Sequence, residues 1–301
     1  MSRYQLTIFT PSFNRANTLS ALYRSLCIQQ CKDFEWIVVD DGSTDSTGEL
    51  VSGWIREDKI SIKYFRQENS GKMPSHNLAV DNLDSEWFMC VDSDDRLYDA
   101  STVGNCIEFL KSLPGEFTAA ELSKICGVIS LKIINGRFNS FPSGMRNVHL
   151  QDLKRSGYRG ETSFMVKSSL LKDHKYPRFD GEKFVTDAYL YERLDKDHTF
   201  LLMNVPTQVC KYNPDGYSSK YRRLLFSNPR GYREYHNQRI ALKYDGILRS
   251  AVCYDAISIR MGLKDFLKGA ASPLLYLAVL PLGFCKYLYD SLSLKTYRNI
   301  C

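Results

Sequence analysis

An apolar run at residues 87–91 ends in the tetrapeptide Asp92-Ser93-Asp94-Asp95, which contains a D-x-D pair. Carboxylate oxygens at this spacing are hard ligands that suit Mg²⁺ or Mn²⁺ rather than zinc. A nucleoside diphosphate would fill the remaining positions around the cation, which would offset the charge on a departing phosphate. Because D-x-D is short and common, a solvated acidic turn or helix cap is the alternative interpretation.

A second acidic pair, Asp40-Asp41, follows the β-branched and aromatic run at residues 34–39 and precedes Gly42. A carboxylate in this position can accept a hydrogen bond from a nucleobase N–H, and a glycine beside it allows close approach of a ligand. The same residues also suit a capped turn that leads into a helix.

A third polar segment, Thr-Pro-Ser-Phe-Asn-Arg at residues 10–15, follows the first apolar run of the chain. Phe13 could line a nucleobase pocket, and Arg15 could meet a phosphate. Taken alone, this segment is a weak indication of a site.

The elements that must position these side chains alternate between strand and helix. Five apolar or β-branched runs predict strands, near residues 6–9, 34–39, 60–65, 87–91 and 127–134. Residues with helical spacing fall between them, which predicts an α/β fold with a mostly parallel sheet and helices on both faces. In such sheets ligands bind at the carboxyl ends of the strands, where both acidic clusters fall. Because like charges repel, clustered carboxylates at these positions point to a bound cation.

The charge of the chain is unevenly distributed. The formal net charge of the 301 residues is +6, with 44% hydrophobic and 25% charged residues, a balance typical of globular proteins. Residues 211–249 carry nine Lys or Arg against three Asp or Glu, and residues 250–301 carry six against three. An even basic coat would be expected of a nucleic-acid-binding protein. The distribution therefore predicts no nucleic-acid partner and favours anionic lipid or phosphate near the C-terminal end.

The nine cysteines include no CxxC pair and mostly lie in apolar stretches. Reduced cysteine behaves there as a small hydrophobic residue, which favours a reducing compartment. Residues 1–10 contain no long apolar run, so no signal peptide is expected. These features predict a cytoplasmic protein.

Four segments together resemble the nucleotide-sugar domain of the inverting family 2 glycosyltransferases with the GT-A fold. They are, in order, TIFTPSFNR, FEWIVVDDGSTDST, ENSGKMPSHNLAV and WFMCVDSDDRLY. The resemblance covers residues 4–115 well and is less sharp to about residue 218. It implies a GT-A domain over residues 1–220 that binds the donor and the acceptor, followed by a helical, basic, membrane-associating extension over residues 221–301.

The resemblance also implies roles for individual residues in binding a nucleotide-sugar, expected to be a UDP-sugar. Pro11 and Phe13 would lie beside the base, Asp41 would bond the base, and Asp92 would contact the ribose. Ser93 would also belong to the nucleotide-sugar site. Asp94 would hold Mn²⁺ or Mg²⁺. Lys72 and Asn77 would lie near the diphosphate or the sugar. Because Ser75-His76 stands where many relatives have Ala-Arg, the phosphate partner is open, and Lys72 is a possible substitute.

An inverting transferase needs a base that takes the proton from the acceptor hydroxyl. The stretch GEKFVTDAYLYERL at residues 181–194 resembles the acceptor-site helix of the family, whose start bears this base. Asp187 falls at that place, and Glu182 is the alternative. The acidic residue at a helix start is also favoured by the helix dipole alone. The basic segment at residues 211–223 resembles the mobile segment that closes over the donor, but a solvated basic face would look the same.

The predicted reaction is a single displacement at the anomeric carbon, with a saccharide or a lipid-linked molecule as acceptor and surface polysaccharide or glycan as the product class. Two other functions are compatible with the framework. A nucleotidyltransferase would usually show a Gly-rich basic loop after the first strand, which residues 10–17 lack. A non-catalytic nucleotide-sugar-binding module would need neither the D-x-D pair nor a second acid such as Asp187.

The C-terminal segment from residue 269 to residue 285 contains no charged side chain. It is shorter than the roughly 20 apolar residues of a spanning helix, and it contains Pro273 and Pro281. The flanking cations are Lys264, Lys268 and Lys286. We predict that this segment lies peripherally on the inner face of the cell membrane, in contact with anionic lipid and without crossing the bilayer. An apolar helix packed on the catalytic domain is the alternative.

Overall fold

The computed structural model describes residues 3–210 and 221–298, with side chains to residue 292. The described residues separate into two compact units. The sheet unit comprises residues 3–176 and 194–210, and the helical unit comprises residues 177–193 and 221–298. This division differs from a simple cut at residue 220, because residues 177–193 belong with the C-terminal helices. Asn228 Oδ1 accepts hydrogen bonds from the backbone N–H groups of Lys183 and Phe184, at 2.7 and 3.1 Å.

The sheet unit is built on one mixed sheet. Its described strands are β1 (Tyr4–Ser12), β2 (Phe34–Asp40), β3 (Ser61–Arg66), β4 (Ser85–Cys90), β5 (Arg96–Leu97), β6 (Ile125–Ile134), β7 (Asn147–Val148), β8 (Thr162–Lys167) and β9 (Thr199–Cys210). The strand order is β3-β2-β1-β4-β8-β6-β9-β5, and β7 pairs with β9. The first four strands run parallel, so their carboxyl ends meet at one edge. The predicted α/β class is confirmed, and antiparallel β8 makes the other half of the sheet mixed.

Helices connect these strands and form the second unit. In the sheet unit they are α1 (Leu19–Cys27), α2 (Thr47–Glu57), α3 (Lys72–Asp81), α4 (Thr102–Glu116), α5 (Ala119–Lys124), α6 (Leu150–Arg155) and α7 (Ser168–Asp173). Helix α8 (Ala188–Asp197) contributes residues to both units. The helical unit continues with α9 (Tyr221–Ser227), α10 (Pro229–Ala241), α11 (Ile247–Arg260) and α12 (Pro273–Arg298).

Buried central strands form the core of the sheet unit. Every residue of β2 is buried, as expected of a parallel strand covered on both faces. The Trp36 indole N–H donates to Thr10 Oγ1 at 2.9 Å, which satisfies the one polar group of this large side chain. Tyr23 and Trp54 stack at 4.2 Å between ring centroids and join α1 to α2 in the same core. The core thus fixes the strands whose ends carry the polar loops.

The helical unit has a small core of its own. Tyr276 of α12 is fully buried and stacks on Tyr254 of α11 at 3.9 Å between ring centroids. Its hydroxyl donates to Asn237 Oδ1 of α10 at 2.8 Å. Ile240, Ala251 and Val279 complete the buried cluster. The predicted helical extension is therefore a packed arrangement of α10, α11 and α12.

Helix α12 presents an apolar face that nothing in the helical unit covers. Every exposed residue from Pro273 to Leu292 is uncharged. The most exposed leucines of this apolar face are Leu274, Leu277, Leu282, Leu288 and Leu292, with between 45% and 83% of their surface accessible. They recur at helical spacing, so they form one continuous stripe. Among the described residues, no helix combines the length and apolarity that crossing a membrane requires.

Candidate active site

The loops after β1 and β2 are tied to each other by side-chain hydrogen bonds. Asn14, whose φ is 53°, donates its backbone N–H to Ser43 Oγ at 2.9 Å. Its side-chain oxygen accepts the backbone N–H of Thr44 at 2.8 Å. The Arg15 backbone N–H donates to Thr47 Oγ1 at 3.0 Å. Asparagine tolerates a left-handed backbone, so Asn14 suits this turn, and the two predicted nucleotide loops form one structure.

Arg15 joins this structure to the D-x-D segment. Its guanidinium Nε donates to Ser93 Oγ at 3.2 Å, and the Ser93 residue is buried. Ser93 therefore positions the Arg15 guanidinium beside the acids of the D-x-D segment. Pro11 is partly buried, whereas 43% of the Phe13 surface is exposed at the same edge of the sheet. The buried hydroxyl of Ser12 finds no hydrogen-bond partner among the described residues, which leaves a polar group available for a ligand.

The two neighbouring acids after β2 serve different purposes. Asp40 Oδ1 accepts the Ser43 backbone N–H at 2.7 Å, and its Oδ2 accepts the Tyr64 hydroxyl at 2.7 Å. Burial first, and then the negative charge of Asp40, raise the pKa of Tyr64, so the phenol stays protonated as the donor. Both carboxylate oxygens of Asp40 thus hold the loop after β2 and its contact with β3.

The side chain of Asp41 instead contacts and orders the segment before α3. Its Oδ1 accepts Gln67 Nε2 at 2.7 Å and the Ser70 backbone N–H at 2.8 Å, and its Oδ2 accepts the Gly71 backbone N–H at 2.8 Å. A carboxylate has about four lone-pair sites, so one acceptor position remains for a nucleobase N–H. The predicted contact between Asp41 and the base stays a prediction.

Gly42 lies between this acid and the ordered loop. Its φ is +82°, and a Cβ at this position would come within 2.9 Å of the backbone nitrogen of Asn69. Any other residue would have to move the loop that Asp41 holds.

The acids after β4 differ in how their charges are balanced. Asp92 Oδ1 lies 2.9 Å from Lys72 Nζ. Burial by itself would raise the pKa of Asp92, but Lys72, Lys132 and Arg15 together lower it, so the group stays ionised. Asp94 is partly buried and makes no hydrogen bond or ion pair with any described residue. Its carboxylate is the acid of the pair that is available to a ligand.

The third acid, Asp95, belongs to a buried cluster. Its Oδ2 accepts the Cys210 thiol at 2.9 Å and lies 3.5 Å from Lys132 Nζ. Burial raises the pKa of Asp95. Burial would favour neutral Lys132, yet the neighbouring Cys210, Asp92 and Asp95 raise its pKa, so the lysine remains a cation.

Lys132 is the site residue that sequence reasoning missed. It lies in β6, and its side chain is only 17% exposed. The available signal was a single lysine inside the apolar run of residues 125–134. A charged residue in such a run has to find a partner in the fold, because burying an unpaired charge is costly.

The D-x-D segment fits a divalent cation of the Mg²⁺ or Mn²⁺ type. Such ions are commonly held by one or two carboxylates together with substrate phosphates rather than by an all-protein cage. No group of three His, Cys, Asp or Glu side chains converges anywhere in the described parts of the chain. Asp94 would supply the free carboxylate, and phosphate oxygens would complete the shell.

Helix α3 uses Lys72 and Asn77 differently from each other. Lys72 is the first residue of the helix and pairs with Asp92 at the site. Asn77 instead exchanges two hydrogen bonds with the backbone of Tyr176, at 2.9 and 3.0 Å. Its predicted place near the diphosphate or sugar stays a prediction, and the amide has a structural role in addition.

His76 occupies an aromatic box in the sheet unit. Its ring lies 5.7, 5.1 and 5.0 Å from the ring centroids of Phe9, Phe88 and Tyr176. Neither ring nitrogen has a hydrogen-bond partner among the described residues. Burial, assisted by Lys72, lowers the pKa of His76 to about 3. The side chain that replaces the arginine of many relatives is therefore a neutral core residue and not a phosphate ligand.

In the helical unit the structure separates the two candidate bases. Glu182 caps α10, because its carboxylate accepts the backbone N–H groups of Arg230 and Gly231, each at 2.9 Å. It also pairs with the Arg230 guanidinium at 3.1 Å, and its side chain is 6% exposed. Asp187 is exposed and immediately precedes α8. Of the two acids, Asp187 is the one accessible to a substrate.

The predicted closing segment lies largely outside the described residues, which resume at Tyr221. Within the described part, Arg222 pairs with Asp290 at 2.8 Å. Lys211 falls in the stretch that is not described.

Comparison with known proteins identifies the family. A family model described as glycosyl transferase family 2 matches residues 7–172. This match covers more than half of the chain and includes both acidic clusters at the strand ends. The chain belongs to glycosyl transferase family 2. Asp187 lies beyond the matched range.

Curated relatives of this family 2 protein match over part of their length. A GalNAc(5)-diNAcBac-PP-undecaprenol β-1,3-glucosyltransferase of Campylobacter jejuni is 27% identical over 215 residues, which are 66% of this chain and 62% of the relative. An uncharacterised glycosyltransferase of Rickettsia conorii is 36% identical over 94 residues, 31% of this chain and 15% of the relative. The chain therefore spans less than two thirds of the length of these relatives.

Solved structures share the fold. TarS of S. aureus (residues 1–349) in complex with UDP-GlcNAc superposes with a TM-score of 0.62 at 17% identity, over 97% of this chain and 92% of TarS. The mannosyltransferase PcManGT of Pyrobaculum calidifontis, in complex with GDP-Man and Mn²⁺, gives 0.55 at 17% identity, over 99% and 83%. The predicted GT-A fold is thereby confirmed.

Proposed function

We propose that this protein transfers a sugar from a nucleoside-diphosphate sugar to a saccharide or lipid-linked acceptor in the synthesis of a surface glycan. The observation that carries the proposal is the end of β4 in a family 2 chain. There Asp94 makes no hydrogen bond or ion pair with any described residue, while Asp92 is paired with a lysine. A free carboxylate beside fixed cations is suited to a metal-bound diphosphate.

The proposed donor is a UDP-sugar. Asp41 has one acceptor position left for the base. Phe13 is exposed and directly follows Ser12, the sheet partner of Asp40, so it would be available for stacking. The Ser12 hydroxyl and Asp92 would take up ribose hydroxyls. The TarS structure contains UDP-GlcNAc, which makes a uridine donor the first choice for this chain.

The proposed cofactor is Mn²⁺ or Mg²⁺, held by Asp94 with assistance from Asp92. When bound, such an ion supplies electrostatic stabilisation of the departing diphosphate. PcManGT, which shares the fold, was solved with Mn²⁺. The cations of this chain act in the same direction: Lys72 and Arg15 lie next to the D-x-D segment and would orient the phosphates.

The proposed base is Asp187. It would accept the proton of the acceptor hydroxyl as that oxygen attacks the anomeric carbon, and the nucleoside diphosphate would leave from the opposite side with inversion. Two observations favour it over Glu182: the Asp187 side chain is exposed at the start of α8, whereas Glu182 is spent on capping α10.

We also propose that the chain works as a peripheral protein on the inner face of the cell membrane, with the exposed apolar face of α12 against anionic lipid. That face carries no charge from Pro273 to Leu292, and Lys264 and Lys268 are exposed just before it. The Campylobacter relative is named for an undecaprenol-linked acceptor, which makes a lipid-linked acceptor reasonable for this chain.

Thermal stabilisation by a panel of nucleotide-sugars, each with Mn²⁺ and with EDTA, tests the donor proposal. A ligand that binds only the folded state raises the melting temperature by mass action. The expected result is stabilisation by one uridine-based donor with Mn²⁺, followed by release of UDP when a lipid-linked or saccharide acceptor is added. If no nucleotide-sugar stabilises the protein with or without metal, the donor proposal fails.

A further inference from the structure

A cavity of about 420 Å³ opens in the helical unit, away from the D-x-D segment in the chain. Its walls come from three helices: Tyr232 of α10, Leu248, Arg249 and Val252 of α11, and Leu282 and Lys286 of α12. Ligand pockets in proteins commonly measure about 300–1,000 Å³, so this volume suits a small group such as a phosphate ester with its first few carbon atoms.

The polar side of the cavity is cationic. Arg249 is exposed, and no carboxylate of the described residues lies within ion-pair distance of it. Lys286 pairs with Asp290 at 2.9 Å, and Arg222 contacts the same carboxylate at 2.8 Å. Arg222 and Lys286 thus share one acid, and Arg249 adds a third cation, which leaves an excess of positive charge at the cavity.

A buried histidine is affected by the same excess of positive charge. His236 of α10 is buried, and neither ring nitrogen has a hydrogen-bond partner among the described residues. Burial lowers the pKa of His236 to about 3, and Arg239, Lys286 and Arg249 add to the effect. The cations are therefore close enough to oppose any further positive charge in this part of the unit.

The other side of the cavity is apolar and continuous with the membrane face. Leu282 lines the cavity and also belongs to the exposed stripe of α12, where 54% of its surface is accessible. Leu248, which is 57% exposed, stands on the facing helix. A ligand held here would have its anionic end at Arg249 and Lys286 and its apolar end leaving along α12.

We infer that this cavity binds the phosphate group of an anionic membrane phospholipid, while its acyl chains follow the apolar face of α12 into the bilayer. The inference rests on the proposed membrane attachment and assigns it a headgroup site. A charge-assisted hydrogen bond from a guanidinium to a phosphate is strong and directional, whereas diffuse attraction of a lysine to a charged surface is weaker. A free phosphate ion would gain from the cations but nothing from the apolar walls.

The test compares two arginine or lysine variants of the full chain on vesicles. Arg249→Gln removes the unpaired cation of the cavity. Lys268→Gln removes an exposed cation of the same unit that lies outside the cavity, so it serves as the matched control. Binding is measured by co-sedimentation with vesicles of phosphatidylcholine alone and with phosphatidylglycerol added.

The wild type is expected to prefer the phosphatidylglycerol vesicles. Arg249→Gln should reduce that preference by about 10-fold or more, as for loss of a charged hydrogen bond. Lys268→Gln should reduce it by about 5-fold or less, as for one charge near an anionic surface. A second cavity variant, Val252→Phe, fills the space without a change in charge and should also lower the preference. Thermal unfolding checks that each variant is folded.

The outcomes separate the two proposals. If the wild type binds neither kind of vesicle, the membrane attachment itself fails. If the wild type prefers phosphatidylglycerol but the arginine and lysine variants lose the same amount, attachment stands and the headgroup site is overturned. If the protein elutes as a dimer and ignores vesicles, the apolar face belongs to a second copy of the chain. If millimolar inorganic phosphate abolishes the difference between the variants without releasing the protein, the phosphate site in the cavity is supported.

Discussion

The sheet unit and the helical unit treat charge in opposite ways. At the ends of β1, β2 and β4, charged side chains are concentrated and tied to one another, as Lys72 is to Asp92 and Lys132 to Asp95. Along α12 none of the exposed residues from Pro273 to Leu292 is charged, and the partly buried Lys286 lines the cavity. The charged side chains at the strand ends provide an electrostatic environment for a charged ligand. The second arrangement, along α12, leaves an apolar surface that water solvates poorly.

This difference indicates a division of labour. A polar cluster inside a sheet edge costs stability unless its charges are paired, so its presence points to chemistry. An exposed apolar stripe on a monomer points to a surface partner, because soluble proteins seldom leave contiguous apolar patches uncovered. If the division holds, changes in one unit should affect only the activity assigned to that unit.

The largest expected effect belongs to Asp94. Asp94→Ala removes the unpaired carboxylate of the D-x-D pair, and metal-stimulated release of UDP should fall by about 10³-fold or more, since a bound cation contributes several kcal/mol to such a reaction. Glu86→Ala is the control, because Glu86 is an exposed acid at the other end of β4. Full turnover in EDTA or in Asp94→Ala would remove the metal from the mechanism.

Asp187 should come next, with an effect on chemistry alone. Asp187→Asn keeps the size of the side chain and removes the base, so kcat should fall by about 10²–10⁴ while donor affinity is kept. Glu182→Gln is the matched change. It weakens the cap of α10, so we expect a loss of about 1 kcal/mol in the free energy of unfolding and nearly normal kcat. The reverse pattern would make Glu182 the base.

The local parts of the site could be predicted from the sequence. The strands that end in Asp40-Asp41 and Asp92 to Asp95 are apolar runs. An apolar run followed by acids can be recognised in a sequence without knowledge of the fold. Membership in the family followed from the same segments, because four motifs in order are far more specific than any one.

The remaining parts depend on contacts between residues that are distant in the chain. Lys132 meets an acid 37 residues earlier, the Glu182 carboxylate caps a helix that begins 47 residues later, and Asn77 holds a backbone 99 residues away. Nothing near Asn77 or Glu182 distinguishes a binding amide or a catalytic acid from a structural one. Residue type and spacing were sufficient to nominate these positions but could not show that their polar atoms are already occupied.

Membrane attachment should respond to the apolar face and not to exposed apolar residues in general. Replacing both Leu277 and Leu288 by Asp should lower affinity for anionic vesicles by about 10²-fold, since each fully buried leucine is worth about 1.5–3 kcal/mol. Ile28→Asp is the control, because Ile28 is 60% exposed in the sheet unit. A chain ending near Arg260 would be a poorer test, since it also removes Tyr276 from the core.

Two results would contradict membrane attachment through the apolar face of α12. One is a wild-type chain that stays in the supernatant with anionic vesicles at low salt. The other is an equal loss of binding in Ile28→Asp. If detergent releases the bound protein but high salt does not, apolar insertion outweighs the basic charges.

The smallest expected effect concerns the stability of the fold at acidic pH. Each unit contains one buried titratable group, and the two groups change the stability in opposite directions as the pH falls. The folded-state pKa of His76 is about 3 against 6.5 when exposed, so the unfolded chain takes up a proton as pH falls below 6.5 and the fold loses stability. In the helical unit, burial raises the pKa of Asp255 to about 7 against 3.8, so the fold takes up the proton first and gains stability over the same range.

Urea unfolding at pH 7.5 and pH 5.5 measures both effects. On acidification the His76→Phe variant should lose about 1.4 kcal/mol less of its free energy of unfolding than the wild type loses. This is the value for one proton over one pH unit. Phenylalanine suits the position because the ring is enclosed by Phe9, Phe88 and Tyr176 and its nitrogens make no hydrogen bond with the described residues. Asp255→Asn should change the pH dependence in the other direction, because both carboxylate oxygens are buried without a partner in the described chain. Equal shifts of the same sign in both variants would mean that the two buried groups do not titrate as their surroundings require.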